Sequence, residues 1–124
     1  MNDKTEQKFC DLSSHKLAAQ EIIGILNAKG IQPDAIGHRF VHGGKLFQRT
    51  TRIDTNTRNL LIQCLPLAPI HNPNSFSVIE VCEQLLPSIP QYAVFDTAFH
   101  AQMPESSARY AIPGSIAEKF GFRK

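Results

Sequence analysis

The sequence predicts an α/β domain, because short apolar strand-like runs alternate along it with helical patterns. Three observations carry this expectation. Leu17, Ala18, Ile22, Ile25 and Leu26 recur at helical spacing. Phe76, Ile79, Val81, Cys82, Leu85 and Leu86 form a second helical set. Ile36 to Val41 reads as a strand, and Tyr92 to Asp96 is a short apolar run of the kind found in buried parallel strands.

Each element has a local signal. Residues 1–11 are polar and are expected to be a disordered tail, leaving 12–124 as the folded part. Ser13 or Ser14 suits the start of the first helix, and Gly30 its end. Ala35 to His42 reads as a strand, followed by Gly43-Gly44, a pair that permits a sharp turn or close approach to a ligand. Leu46 to Ile53 reads as a second, more polar strand paired with the first through that turn. Asp54 or Thr55 opens a short helix carrying Leu60, Leu61 and Cys64. Pro66 and Pro69 end it and fix the loop that holds His71. Asn72 or Asn74 is placed to cap the next helix, which Pro87 and Pro90 close. Gly114 to Phe120 is expected to be a last short helix. There is no internal repeat and no low-complexity stretch.

Composition narrows the classes. A chain of 124 residues fits one domain and buries about two-thirds of its unfolded surface. With 42% hydrophobic and 19% charged residues, it has the make-up of a soluble globular protein. The net charge of +2 comes from 13 basic and 11 acidic residues well interspersed, so no basic cluster points to nucleic acid. No apolar run approaches the ~18 residues of a membrane span, and the N-terminus is too polar for a signal peptide. Cys10, Cys64 and Cys82 are odd in number and lack a Cys-x-x-Cys pair, which favours reduced thiols and a cytoplasmic location. Cys64 and Cys82 sit among apolar neighbours and read as core. Five histidines, His15, His38, His42, His71 and His100, fall in four segments, not at metal-ligand spacing.

The candidate chemistry centres on residues 37–44, Gly-His-Arg-Phe-Val-His-Gly-Gly. Arg39 stays cationic whatever its surroundings, and its planar fork suits carboxylate and phosphate oxygens. By itself the octapeptide reads equally well as a surface strand with a solvated arginine. Asp96 ends an apolar strand, the edge at which open α/β sheets bind ligands. Taken alone, it reads as a cap on the turn Thr97-Ala98, and His71 as a polar loop residue.

Two further segments join the octapeptide: Leu-Ala-Pro-Ile-His-Asn-Pro-Asn at 67–74, and Val-Phe-Asp-Thr-Ala-Phe-His at 94–100 with Met103-Pro104 after it. Together these segments resemble the acetate kinases and their short-chain carboxylate kinase relatives. The helix before the octapeptide and Tyr-Ala-Ile-Pro at 110–113 fit the same pattern. The resemblance runs from about residue 15 to the C-terminus, and the intervals 71 − 39 = 32 and 96 − 71 = 25 need no insertion or deletion.

The resemblance implies a partial ribonuclease H-like domain of the sugar kinase, actin and Hsp70 type, with a small mixed sheet and flanking helices. It implies phosphoryl transfer between ATP and acetate, with acetyl phosphate formed and Mg²⁺ required. Arg39, His71 and Asp96 take the catalytic positions. Arg39 binds the acceptor carboxylate, and Val41 and Ile70 line the site for its methyl group. Asp96 orients these groups or, indirectly, the metal ion. A β-branched Val41 leans towards acetate over propionate. His38, His42 and His100 receive no role.

Members of that family open with a phosphate loop, Asn-Ala-Gly-Ser-Ser-Ser, and continue past Arg-Lys into Tyr-Gly-Phe-His-Gly-Thr-Ser-His. Neither segment is in this sequence. The chain is therefore expected to be an internal piece of such a kinase, 12–124 forming part of its N-terminal domain, with little or no activity alone. No nucleotide-binding segment is expected within it. A homodimer or a partner chain would supply the missing parts. A non-catalytic interaction module and the remnant of a disrupted gene are the competing expectations.

Overall fold

In the computed structural model, residue 5 and residues 7–121 are described. The tail expected at 1–11 falls partly outside them, at residues 1–4 and 6, as do residues 122–124 at the end of the predicted domain.

The chain runs α1 (His15–Ala28), β1 (Ile36–Phe40), β2 (Thr51–Arg52), α2 (Thr55–Gln63), α3 (Asn72–Leu85), β3 (Gln91–Phe95), α4 (Glu105–Ala108) and α5 (Gly114–Phe120). Short 3-10 turns lie at Leu65–Leu67 and Asp96–His100. Among the described residues there is one three-stranded sheet, ordered β1-β3-β2. β3 is central, parallel to β1 and antiparallel to β2. The sheet is thus small and mixed, with helices packed on it, as the α/β expectation required.

Register decides which side chains face where. Gly37 lies opposite Tyr92, His38 opposite Ala93, Arg39 opposite Val94 and Phe40 opposite Phe95. Side chains alternate along a strand. His38, Phe40, Gln91, Ala93 and Phe95 therefore share a buried face, while Arg39 and Val94 point to the exposed one. The core on the buried face joins Phe40, Phe95 and Ala93 to Phe47, Leu61, Cys64, Phe76 and Ile79. Phe95 meets Phe40 edge-on at 5.8 Å and stacks on Phe47 at 4.5 Å. A second cluster packs Ala19 and Ile23 of α1 on Val81 and Cys82 of α3. Cys64 and Cys82 are buried free thiols, as read from their neighbours, and burial pushes the Cys64 thiol up to about 11.

Local signals explain the ends of α1 and the start of α2. Ser14 caps α1 by accepting from the Leu17 N–H, and Gly30 follows the helix with φ +66°. Asp54 caps α2 by accepting from the Thr57 N–H at 2.7 Å. Among the described residues, no helix is long and apolar enough to cross a membrane.

Three expectations are corrected. The strand predicted over Leu46–Ile53 shrinks to Thr51–Arg52, and it pairs with β3, not β1. Phe47 is drawn into the core against Phe95, and its N–H bonds the Gly43 carbonyl, so residues 43–47 turn instead of extending. The buried stripe of α1 is Ala19 and Ile23, whereas Leu17, Ile22 and Ile25 are exposed. α3 has no side-chain cap at all. His71 occupies the cap position, and Asn72 is fully buried inside the first turn.

The glycine pair serves the core. A Cβ on Gly43 would lie 2.8 Å from both Phe47 Cβ and Phe95 Cδ1, and Gly44 has φ +58°. The close approach anticipated at this pair is to the aromatic core.

Candidate functional site

Arg39 lies near the end of β1, and Asp96 directly follows β3. These strands are hydrogen-bonded neighbours, and Arg39 sits opposite Val94, two residues before Asp96. The parallel register therefore carries both side chains to the same end and face of the sheet. They meet in a two-pronged ion pair: Arg39 Nε donates to Asp96 Oδ1 at 3.0 Å and Nη2 to Oδ2 at 2.6 Å.

The Arg39 side chain is 76% exposed and that of Asp96 41%. A pair this open contributes little to stability, but it remains reachable by a solvent-borne anion. The hydrogen bond from Arg39 holds the Asp96 carboxyl below the usual carboxylate range; slight burial opposes this, and the charges of Arg39 and His71 reinforce it. The same bond to Asp96 raises the Arg39 value further. Both groups are charged at neutral pH. Asp96 engages one edge of a guanidinium that carries five N–H donors, so others remain for a ligand.

His71 is exposed where the Leu65–Leu67 turn leads into α3, close enough for its charge to act on Asp96. A cleft of about 540 Å³ has Arg39, Val41, Ile70 and His71 in its wall, with His15 and Val78. Of the five site residues predicted from sequence, four line this one cleft. Asp96 is not part of its wall and is joined to it through Arg39. Ile70 is 76% exposed and so is no core residue; Val41 is half-buried. A second cavity of about 340 Å³, beside Lys45, Met103 and Arg109, touches none of the five.

The remaining motif histidines have structural partners. His38 is buried, with Nε2 2.7 Å from Gln91 Oε1; an amide oxygen only accepts, so Nε2 carries the proton. Burial lowers its affinity for a second proton. His42 Nδ1 accepts from the Gly44 N–H at 3.0 Å.

Asn72, expected only as a cap of α3, and Thr97, expected only in the turn after Asp96, hold the turn after β1. Asn72 grips the His42 backbone and the Cys64 carbonyl, and Thr97 Oγ1 accepts from the Gly43 N–H at 3.2 Å. Each directly follows a predicted site residue, which was the available signal. As for metals, no cluster of three or more His, Cys, Asp or Glu side chains suited to an ion occurs among the described residues. Asp96 brings a single carboxylate, both of whose oxygens accept from Arg39.

The acetokinase family profile matches residues 1–124. Over 121 residues the chain is 45% identical to an acetate kinase of Acetivibrio thermocellus, covering 92% of this chain and 30% of that protein. It is 38% identical over 128 residues to an acetate kinase of Methanosarcina acetivorans, covering 98% and 31%. Among solved structures, an acetate kinase from Entamoeba histolytica superposes with a TM-score of 0.77 at 45% identity, over 88% of this chain and 29% of that one. A propionate kinase from Francisella tularensis superposes with a TM-score of 0.83 at 39% identity, over 94% and 31%. The chain thus spans under a third of the length of these relatives.

Proposed function

From the chain's membership of the acetokinase family, we propose that it forms the carboxylate-handling part of a kinase that moves a phosphoryl group between ATP and acetate. The observation that carries this reading is the Arg39–Asp96 pair at a cleft shared with His71, Val41 and Ile70. Phosphoryl transfer asks little covalent work of a protein. It asks for positioning, and for positive charge around oxygens that are themselves negative.

Each residue has a role on those terms. Asp96 holds one edge of the Arg39 fork and so fixes its plane. The donors left on Arg39 take the acceptor carboxylate and the transferring group. His71 adds a directional donor to the phosphoryl oxygens. Val41 and Ile70 offer an apolar wall to the methyl group. Acetate is the proposed acceptor because a β-branched Val41 narrows that wall. Propionate is the second reading, favoured by the close superposition on the Francisella propionate kinase. A pocket of this kind separates one methylene by only about 1–3 kcal/mol.

ATP and a divalent ion are implied by the family. The sequence has no Asn-Ala-Gly-Ser-Ser-Ser phosphate loop, so no residue of this chain is assigned to the nucleotide, and Asp96 is assigned an indirect part in orienting the ion. On the same reading residues 12–124 are part of the N-terminal domain of such an enzyme, working in the cytoplasm, where Cys10, Cys64 and Cys82 stay reduced.

The test is a graft. Residues 15–121 replace the matching stretch of the Acetivibrio thermocellus acetate kinase, and acetyl phosphate is trapped as its hydroxamate. The graft is expected to turn over with Mg²⁺ and ATP, and the 124-residue chain alone is not. A folded but inactive graft would overturn the catalytic reading and leave an interaction module in its place.

A further inference from the structure

Asn72 is 0% exposed, yet every polar atom of its side chain is engaged. Nδ2 donates to the His42 carbonyl at 3.0 Å and to the Cys64 carbonyl at 2.7 Å, and Oδ1 accepts from the His42 N–H at 3.4 Å. An asparagine at a helix start ordinarily accepts from an N–H of its own helix. This one turns away from α3 and clamps two other segments.

Those segments matter by their place in the chain. His42 follows Val41 directly and lies three residues after Arg39, while Asn72 follows Ile70 and His71 directly. One amide therefore joins the two walls of the cleft: β1's exit, with Arg39 and Val41, and the start of α3, with Ile70 and His71. The same turn is held from the other side by Thr97, the neighbour of Asp96, through the Gly43 N–H. Arg39 is too exposed for packing to place it. Its guanidinium is aimed by the Asp96 carboxylate and by the backbone beneath it.

We propose that Asn72 is a positioning residue for the proposed site, setting the distance between Arg39 and His71 through the His42 backbone; the inference rests on the function proposed above. A displacement of about 1 Å in such a constellation is enough for a hundredfold loss. No apolar residue of the same volume reproduces the clamp, because it would take the Nδ2 donors from the His42 and Cys64 carbonyls and the Oδ1 acceptor from the His42 N–H.

The 124-residue chain, labelled with ¹⁵N, supplies the test. Spectra and acetate titrations compare Asn72→Ala, Asn72→Ser, which keeps one donor, and Ile79→Val, a core change that removes none of the Asn72 hydrogen bonds. Asn72→Ala is expected to move the Arg39 Nε–H and His71 amide signals and to weaken acetate binding at least tenfold. Asn72→Ser should fall between it and the unaltered chain, and Ile79→Val should leave signals and binding in place. If Asn72→Ala does not fold, the serine variant decides alone. Unmoved Arg39 and His71 signals in a folded Asn72 variant would overturn the inference. So would equal shifts from Ile79→Val, which would reduce Asn72 to ordinary packing. If the unaltered chain binds no acetate, that counts against the proposed function, and the signal shifts still judge Asn72.

Discussion

Arg39 and Asp96 are the residues on which the functional reading stands. In the active graft, Arg39→Ala and Asp96→Ala are each expected to lower kcat/KM by at least ~10²-fold, the scale for removing one preorganised donor or its partner. Full activity in either variant would remove the assignment. Val41→Ala is expected to shift preference towards propionate with a smaller loss, read as the ratio of kcat/KM for the two acids. His38 gives a pH signature of another kind. Burial keeps its folded-state value below the ordinary 6.5, so the unfolded chain binds the proton more readily. Its contribution to stability is present above pH 6.5 and is lost as the pH falls below that value. The Tm of the chain should therefore drop between pH 7.5 and 5.5, by less in His38→Gln; an equal drop in both would place the titration elsewhere. Arg39, His71 and Asp96 could be singled out because each lies in a short motif. Asn72 was not. Its chemistry matched a helix cap, and nothing local says that its amide reaches His42, 30 residues away.

At the scale of elements, local rules succeeded wherever a local interaction decides. Asp54 caps α2 because a carboxylate accepts an N–H three residues on. Asp54→Ala should destabilise the chain by about 0.5–2 kcal/mol, measured by denaturant unfolding. The failures share one cause. Leu46–Ile53 has a passable strand pattern, but Phe47 stacks on Phe95, 48 positions later in the register of the chain (95 − 47), and no window of sequence holds both. Helical spacing located α1, yet its apolar arc is wide. Only the packing partner, Val81 and Cys82, shows that Ala19 and Ile23 are the covered part. The turn after β1 offers a sharper test. Gly43→Ala would push a methyl group to 2.8 Å from Phe47 and Phe95. It should lower stability by about 1–3 kcal/mol, as overpacking does, and an unchanged unfolding midpoint would contradict the close packing there.

At the scale of the molecule, the α/β class was legible from alternation alone, while sheet order was not. Nothing in Ile36–Phe40 or Gln91–Phe95 says that they are adjacent, or that β2 takes the far edge of β3. That adjacency also governs how fast the protein reaches its native state. The β1–β3 ladder joins positions 55 apart (91 − 36), so it forms only after a long loop has closed. Pairings so distant in sequence slow folding relative to helical contacts, which involve near neighbours. Arg39 and Asp96, 57 apart, meet only across that ladder. A refolding chain should therefore gain helical circular dichroism first and acetate binding last, in step with protection of the β1 and β3 amides. A nascent chain on the ribosome can carry α1, α2 and α3 fully formed and still have no Arg39–Asp96 pair until residue 96 has emerged.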